Sequence, residues 1–206
     1  MTGHPSDKLP PDRRAALFAA AGAEFAANGF KQASLNRIIS GVGMSKSSFY
    51  HYFANKEDLF RRTLHDAVAP MLHAQGQMDL SVLTPKTFWP MLERMTQQMT
   101  ELANSSPEMV TVGRMFYRSF EDKDERALTA EVMAETTAWI TGLMRRGQEL
   151  GLVRKDLPDT LLLEGIMALG MAVDRWMLAN WAEIDDAERV DLNRKTLDLM
   201  MRVLRP

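Results

Sequence analysis

Apolar residues recur at three- and four-residue spacing along this chain, and the punctuation between them divides it into helices. Leu17, Ala21 and Phe25 form the inward stripe of a first helix, expected from Asp12 as N-cap to Asn28, where Asn-Gly ends it. Leu35, Ile38, Ile39 and Val42 mark a short second helix, Gly43 supplies a turn, and Ser45 stands where a third helix needs its N-cap. On a 100° wheel the third helix gathers Phe49, Tyr52 and Phe53 on one arc and Lys46, Ser47, Tyr50 and His51 on the opposite one. The first arc suits a core and the second an outward face. A fourth helix, with Asn55 as cap and Glu57 and Asp58 complementing its dipole, runs through Leu59, Phe60, Leu64 and Val68 towards Pro70.

The stretch GQMDLSVLTPK reads as a linker, and helices follow it throughout. Thr84-Pro85 resembles a helix entry ahead of Trp89, Leu92, Met95, Met99 and Leu102; Pro107 opens the next helix, with Met109, Val112, Met115, Phe116 and Phe120. A long helix is expected over Ala127 to Leu150, ended by Gly151. Another starts near Pro158-Asp159 and is apolar at nearly every position from Leu161 to Val173, which predicts cover on both sides: the body on one, a second chain on the other. Gly165, Ala168, Gly170 and Ala172 would allow close approach. A last amphipathic helix starts near Asp185, with Val190, Leu197, Met200, Met201 and Leu204 as its stripe. The fold class is all-α. Its expected organisation is an arm over 1–12, a small helical domain over 13–60 with a connecting helix to about 74, and a helical body over 84–206.

Composition narrows the function. The 206 residues include no cysteine, which removes disulfides, thiolate nucleophiles and cysteine-ligated zinc. The opening MTGHPSDKLPPDRR lacks the apolar run of a secretory signal, and Leu161 to Val173 is too short to span a bilayer, so a cytoplasmic location without membrane attachment is expected. Met1 to Asp66 holds nine Lys/Arg against six Asp/Glu, and the remainder 16 against 21, so the N-terminal part is the better candidate for a polyanion. Three prolines and no periodicity before Asp12 predict a mobile arm; Lys8, Arg13 and Arg14 at its inner end either reach phosphates or are simply solvated.

Two short helices at a tight corner, the second with an outward face of hydroxyls, an imidazole and an ammonium, have the geometry of a helix-turn-helix whose second helix suits the major groove. Over Leu17 to Phe60, in EFAANGF, the isoleucine pair, GMSKSSFYHYF and NKEDLF, the chain resembles the TetR family of bacterial transcriptional regulators. Gly41 departs from the pattern, since family members usually carry a better helix former there. The resemblance implies phosphate or base contacts from Ser48, Tyr50 and Lys56, groove-facing positions for Lys46 and His51, and contacts from the first helix of the motif by Ser34 and Asn36. Ser45, Ser47 and Tyr52 complete the candidate DNA-binding set, and Ser34 is equally readable as only a helix cap. It also implies that the fourth helix joins a DNA-binding head to the body, and that the last two helices pair with their copies in a four-helix bundle, with Gly165, Ala168, Ala172, Leu197 and Met201 as candidate dimer contacts.

The chain holds 16 methionines, most of them in the body. Methionine fills irregular cores, and it also lines adaptable apolar pockets. Met95, Met99, Met115, Phe116, Trp139, Met167, Met171 and Trp176 are the candidate effector lining. The four histidines show no zinc spacing, and no phosphate loop or serine elbow appears, so no catalytic residue, metal or cofactor is expected. The reading is a homodimeric DNA-binding regulator, a repressor released from a palindromic operator by an apolar or amphipathic small molecule. The alternative is a helical ligand-binding or interaction protein that no longer reads specific DNA.

Overall fold

The computed structural model describes residues 4–206. Among them every regular element is helical: α1 (Pro11–Gln32), α2 (Leu35–Gly41), α3 (Lys46–Tyr52), α4 (Lys56–Gly76), α5 (Phe88–Ser105), α6 (Pro107–Glu121), α7 (Ala130–Glu149), α8 (Asp159–Ala179) and α9 (Asp186–Leu204), with short 3-10 turns at Pro5–Lys8, Leu80–Val82 and Arg126–Thr129. No helix among the described residues is long and apolar enough to cross a membrane.

Two compact units form, each around its own core. The first comprises residues up to Pro70 together with Glu108–Val132; the second comprises Met71–Pro107 and Met133–Pro206. Most of α6 thus falls in the first unit. Its Val112 and Met115 are buried in one core with Leu17, Phe18, Ala21, Phe25, Phe49 and Phe60. Gly22 of α1 makes room for this, since a Cβ there would lie 3.5 Å from Val112 and 3.8 Å from Thr111.

In the first unit, α1 starts two residues before the expected first helical position. Proline at N1 has no amide hydrogen to leave unpaired, so Pro11 opens the helix and Asp12 sits inside its first turn. Residues 1–3 of the expected arm lie outside the described residues, and from His4 onward the segment is packed. Pro5 begins a 3-10 turn, Ser6 and Leu9 are buried, and His4 Nε2 lies 3.1 Å from Asp58 Oδ1. Asp7 pairs with Arg62 at 2.5 Å. The segment is held by side chains of α4 that lie more than fifty residues away.

In the second unit α9 packs against α5 and α8. Leu83, Phe88, Met91, Leu143, Met144, Val153 and Leu162 form the core. A polar seam ties α9 to α5: Asn193 Nδ2 donates to Thr100 Oγ1 at 2.5 Å, and the buried Arg189 donates to Asn104 Oδ1 and to the carbonyls of Trp181 and Ile184. Asp185 caps α9 in a reciprocal box with Glu188.

Candidate nucleic-acid interface

The corner between α2 and α3 is built by local hydrogen bonds. Ser34 Oγ accepts from Arg37 N–H at 3.3 Å and starts α2. At the other end Met44 N–H donates to Ile39 O at 2.8 Å, and Gly43 adopts φ 65°, a conformation in which a side chain is strained. Ser45 Oγ then accepts from Ser48 N–H at 3.1 Å and starts α3. Both predicted caps are made.

The inward side of α3 is fixed by aromatic packing. Phe49 and Phe53 are fully buried and stack with centroids 5.2 Å apart, and Phe53 meets Phe18 of α1 edge-on. These contacts set the roll of the helix about its axis, so Lys46, Ser47, Tyr50 and His51 are left exposed together. Tyr50 is 58% exposed, with its ring edge against Phe49. The face offers an ammonium, hydroxyls and an imidazole, which together can donate to and accept from base edges and phosphates. Asn36 of α2 is exposed as well.

Not every candidate stands on that face. Tyr52 is half-buried against the core of the unit, and Ser48 is half-buried with its amide engaged by Ser45. Lys56 points back into the unit. Its Nζ donates to the carbonyls of Phe30 at 2.7 Å, Ala33 at 3.0 Å and Lys31 at 3.3 Å, and sits 4.7 Å from the Phe30 ring centroid. An ammonium has three hydrogens, and all three have acceptors here at the end of α1.

Two features escaped the sequence reading. Arg37 is an exposed cation on α2, held by Glu24. The second is a break in α1 at Gly29, whose φ of 71° and ψ of 166° interrupt the helix. A straight helix would pair Phe30 N–H with Ala26 O and Lys31 N–H with Ala27 O. Here Arg118 Nη1 donates to both carbonyls, at 3.1 and 2.9 Å, while Glu125 accepts both amides, at 3.2 and 3.0 Å. Ser119 Oγ donates to the same carboxylate at 2.9 Å, and Glu125 is only 5% exposed. Sequence periodicity carries no signal for such a clamp; Asn-Gly marked the break and nothing marked its partners.

Residues 17–63 match the family model for bacterial regulatory proteins of the tetR family. That stretch takes in α2 and α3 with the adjoining parts of α1 and α4. The chain is a DNA-binding transcriptional regulator. It is similar to the HTH-type transcriptional repressor SCO4008 of Streptomyces coelicolor, 25% identical over 175 residues that cover 85% of this chain and 80% of that one. Among solved structures, the transcriptional regulator FadR from Bacillus subtilis in complex with stearoyl-CoA superposes with a TM-score of 0.74 at 18% identity, covering 93% of this chain and 99% of FadR. The SmeT–triclosan complex gives 0.72 at 18% identity, covering 95% and 92%. The fold shared with these two structures covers residues of both units.

The candidate effector residues are divided between the two units. Met115 and Phe116 belong to the core of the first unit, Met115 fully buried in it. Trp176 is 51% exposed on α8. Met95, Met99, Trp139, Met167 and Met171 remain, all half-buried in the second unit. The Trp139 indole N–H is buried without an acceptor among the described residues. Of the dimer candidates, Gly165, Ala168 and Ala172 are exposed on one face of α8, whereas Met201 is buried within the chain and Leu197 half-buried. The large apolar residues that α9 leaves exposed are Val190, Leu199 and Val203. Among the described residues no group of three His, Asp or Glu side chains is placed to hold a metal ion.

Proposed function

We propose that this regulator is a cytoplasmic homodimeric repressor that reads a palindromic operator with α3 and leaves it when a small apolar or amphipathic molecule binds the second unit. The observation that carries the DNA-reading part is the exposed quartet Lys46, Ser47, Tyr50 and His51 on a helix whose opposite side is locked by Phe49 and Phe53. A reading helix needs a polar outer face and a fixed roll, because a base-edge hydrogen bond tolerates little angular error. Arg37 and Asn36 extend the face onto α2. A two-fold pair would set its two reading helices about 34 Å apart on the DNA, one helical turn.

The half-buried methionines and Trp139 support an apolar effector, and the unpaired indole N–H favours one that also carries a hydrogen-bond acceptor. The FadR and SmeT structures, holding stearoyl-CoA and triclosan, are consistent with ligands of that character in this fold. Release needs only differential affinity for two head arrangements; a tenfold loss of operator affinity corresponds to about 1.4 kcal/mol of coupling. This reading assigns no catalysis to the chain.

Selection of bound sequences from random duplex DNA tests the proposal. The expected product is an inverted repeat, bound with an affinity that falls steeply with salt. Recovery of no consensus would favour the alternative, a helical ligand-binding protein that has lost DNA reading.

A further inference from the structure

The clamp at Gly29 is more than a local repair. It replaces the two helical hydrogen bonds lost at the break by side chains about ninety residues away in sequence: an arginine on the orphaned carbonyls and a carboxylate on the orphaned amides. Each charge sits where the partial charge of the broken helix end is opposite to it. Lys31 Nζ adds an ion pair with Asp124 Oδ2 at 2.5 Å, beside Glu125 in the same loop. Downstream of the break, only Gln32 and Ala33 separate these amides from Ser34, whose N–H donates to Glu24 Oε1 at 2.8 Å and whose hydroxyl starts α2. The clamp thus fixes the point from which the helix-turn-helix departs.

We propose that Glu125, supported by Ser119 and Arg118, is a positioning residue for operator reading: it sets the seat of α2, and through the α2–α3 corner the seat of the reading helix. The loop after α6 is then part of the DNA-reading machinery through its hold on α2. This inference rests on the operator-reading function proposed above. Glu125 is the centre of it because one buried carboxylate takes two backbone amides and a hydroxyl, and a glutamine there would present an NH2 group to at least one of those donors.

The test uses the full chain with Glu125→Gln and Ser119→Ala, read by amide hydrogen exchange and by binding to the selected operator and to a random-sequence duplex at matched salt. With Glu125→Gln, exchange at Phe30, Lys31 and through α2 is expected to accelerate about tenfold or more. Operator affinity should fall about tenfold, with random-duplex affinity held within about twofold. Ser119→Ala should show the same pattern in smaller measure, and it carries the comparison if Glu125→Gln fails to fold. Unchanged exchange with unchanged selectivity would overturn the proposal. So would an equal loss on both duplexes, the mark of general unfolding. If the parent selects no sequence, operator reading itself falls, and the exchange comparison alone still decides whether Glu125 holds α2.

Discussion

Glu24 and Arg37, thirteen residues apart, meet in a two-pronged ion pair that spans the joint between α1 and α2. Arg37 Nη2 lies 2.5 Å from Glu24 Oε1, and its Nε lies 3.1 Å from both carboxylate oxygens. The carboxylate also accepts the Ser34 N–H, so one side chain holds both the cation on α2 and the backbone that precedes it. Arg37 is well exposed, which limits what the pair adds to stability; its larger role is to orient a cation on the outward side of α2.

Acid should loosen this joint. The Arg37 guanidinium, and after it the Ser34 N–H, hold the Glu24 carboxyl below its ordinary value against the opposing effect of burial. A depressed carboxylate contributes stability that is fully present above its unfolded pKa, about 4.3, and is lost as pH falls through the folded value. Thermal unfolding of the parent and of Glu24→Gln should therefore differ at about pH 6 and converge towards about pH 3. A difference that persisted unchanged at the lower pH would exclude the ion pair as its source.

Two glycines in the first unit should respond oppositely to alanine. Gly29 occupies φ 71°, ψ 166°, a region open essentially to glycine, and an added Cβ would lie 3.0 Å from Arg118 Nε. Gly29→Ala should cost about 1–3 kcal/mol in urea unfolding. Gly41 ends α2 without positive φ, and a Cβ added there would meet nothing within 4 Å, so Gly41→Ala should be stabilising by about 0.4–1 kcal/mol.

The parts legible in the sequence were those fixed by near neighbours. Ser34, Ser45 and Asp185 cap the helices that follow them because a cap bonds an amide two or three residues on, and the split of α3 into a Phe49 face and a Tyr50 face follows from helical spacing alone. What was not legible depends on residues distant in sequence. Lys56 reaches carbonyls more than twenty residues back, Glu125 reaches amides 94 and 95 residues back, and α6 joins the first unit through Val112 and Met115. Apolar periodicity says that a face is buried and leaves open what buries it. The same limit explains Met115, Phe116 and Trp176: each is apolar at helical spacing, yet two fill the core of the first unit and one is exposed.

Tyr50 and Lys56 should separate reading from holding. Tyr50 is exposed, so Tyr50→Ala should leave the unfolding midpoint nearly unchanged while lowering operator affinity by about 1–3 kcal/mol if it makes a good base contact. Lys56→Met keeps the aliphatic stem but strips donors from three carbonyls. It should lower the stability of the first unit by about 1–3 kcal/mol. Equal effects of the two substitutions on stability would show that the outward face has been misplaced.

The exposed stripe on α8 gives the prediction about assembly. Leu161, Gly165, Ala168, Ala172 and Trp176 fall within one arc of the helix, and in the single chain Leu161 is 53% and Trp176 51% exposed. An apolar run with small residues at its centre admits a second helix at close range, and Leu199 and Val203 on α9 add further exposed apolar surface. Ala168→Arg should therefore leave the fold intact, because the new side chain enters solvent in the monomer, and should block the two-fold pair by placing an unpartnered charge against its copy. Light scattering at micromolar concentration should report a dimer for the parent and a monomer with undiminished helicity for the variant. Operator affinity should drop steeply in parallel, since two linked heads bind the second half-site at high effective concentration and separate heads do not. Gly170→Arg is the contrasting control. A Cβ there already lies 3.3 Å from Met200 Cε, so that substitution should disturb the packing of α8 on α9 within one chain and lower its thermal stability. A parent that runs as a monomer under these conditions would leave the α8 stripe without a partner and remove the dimer from the proposed mechanism.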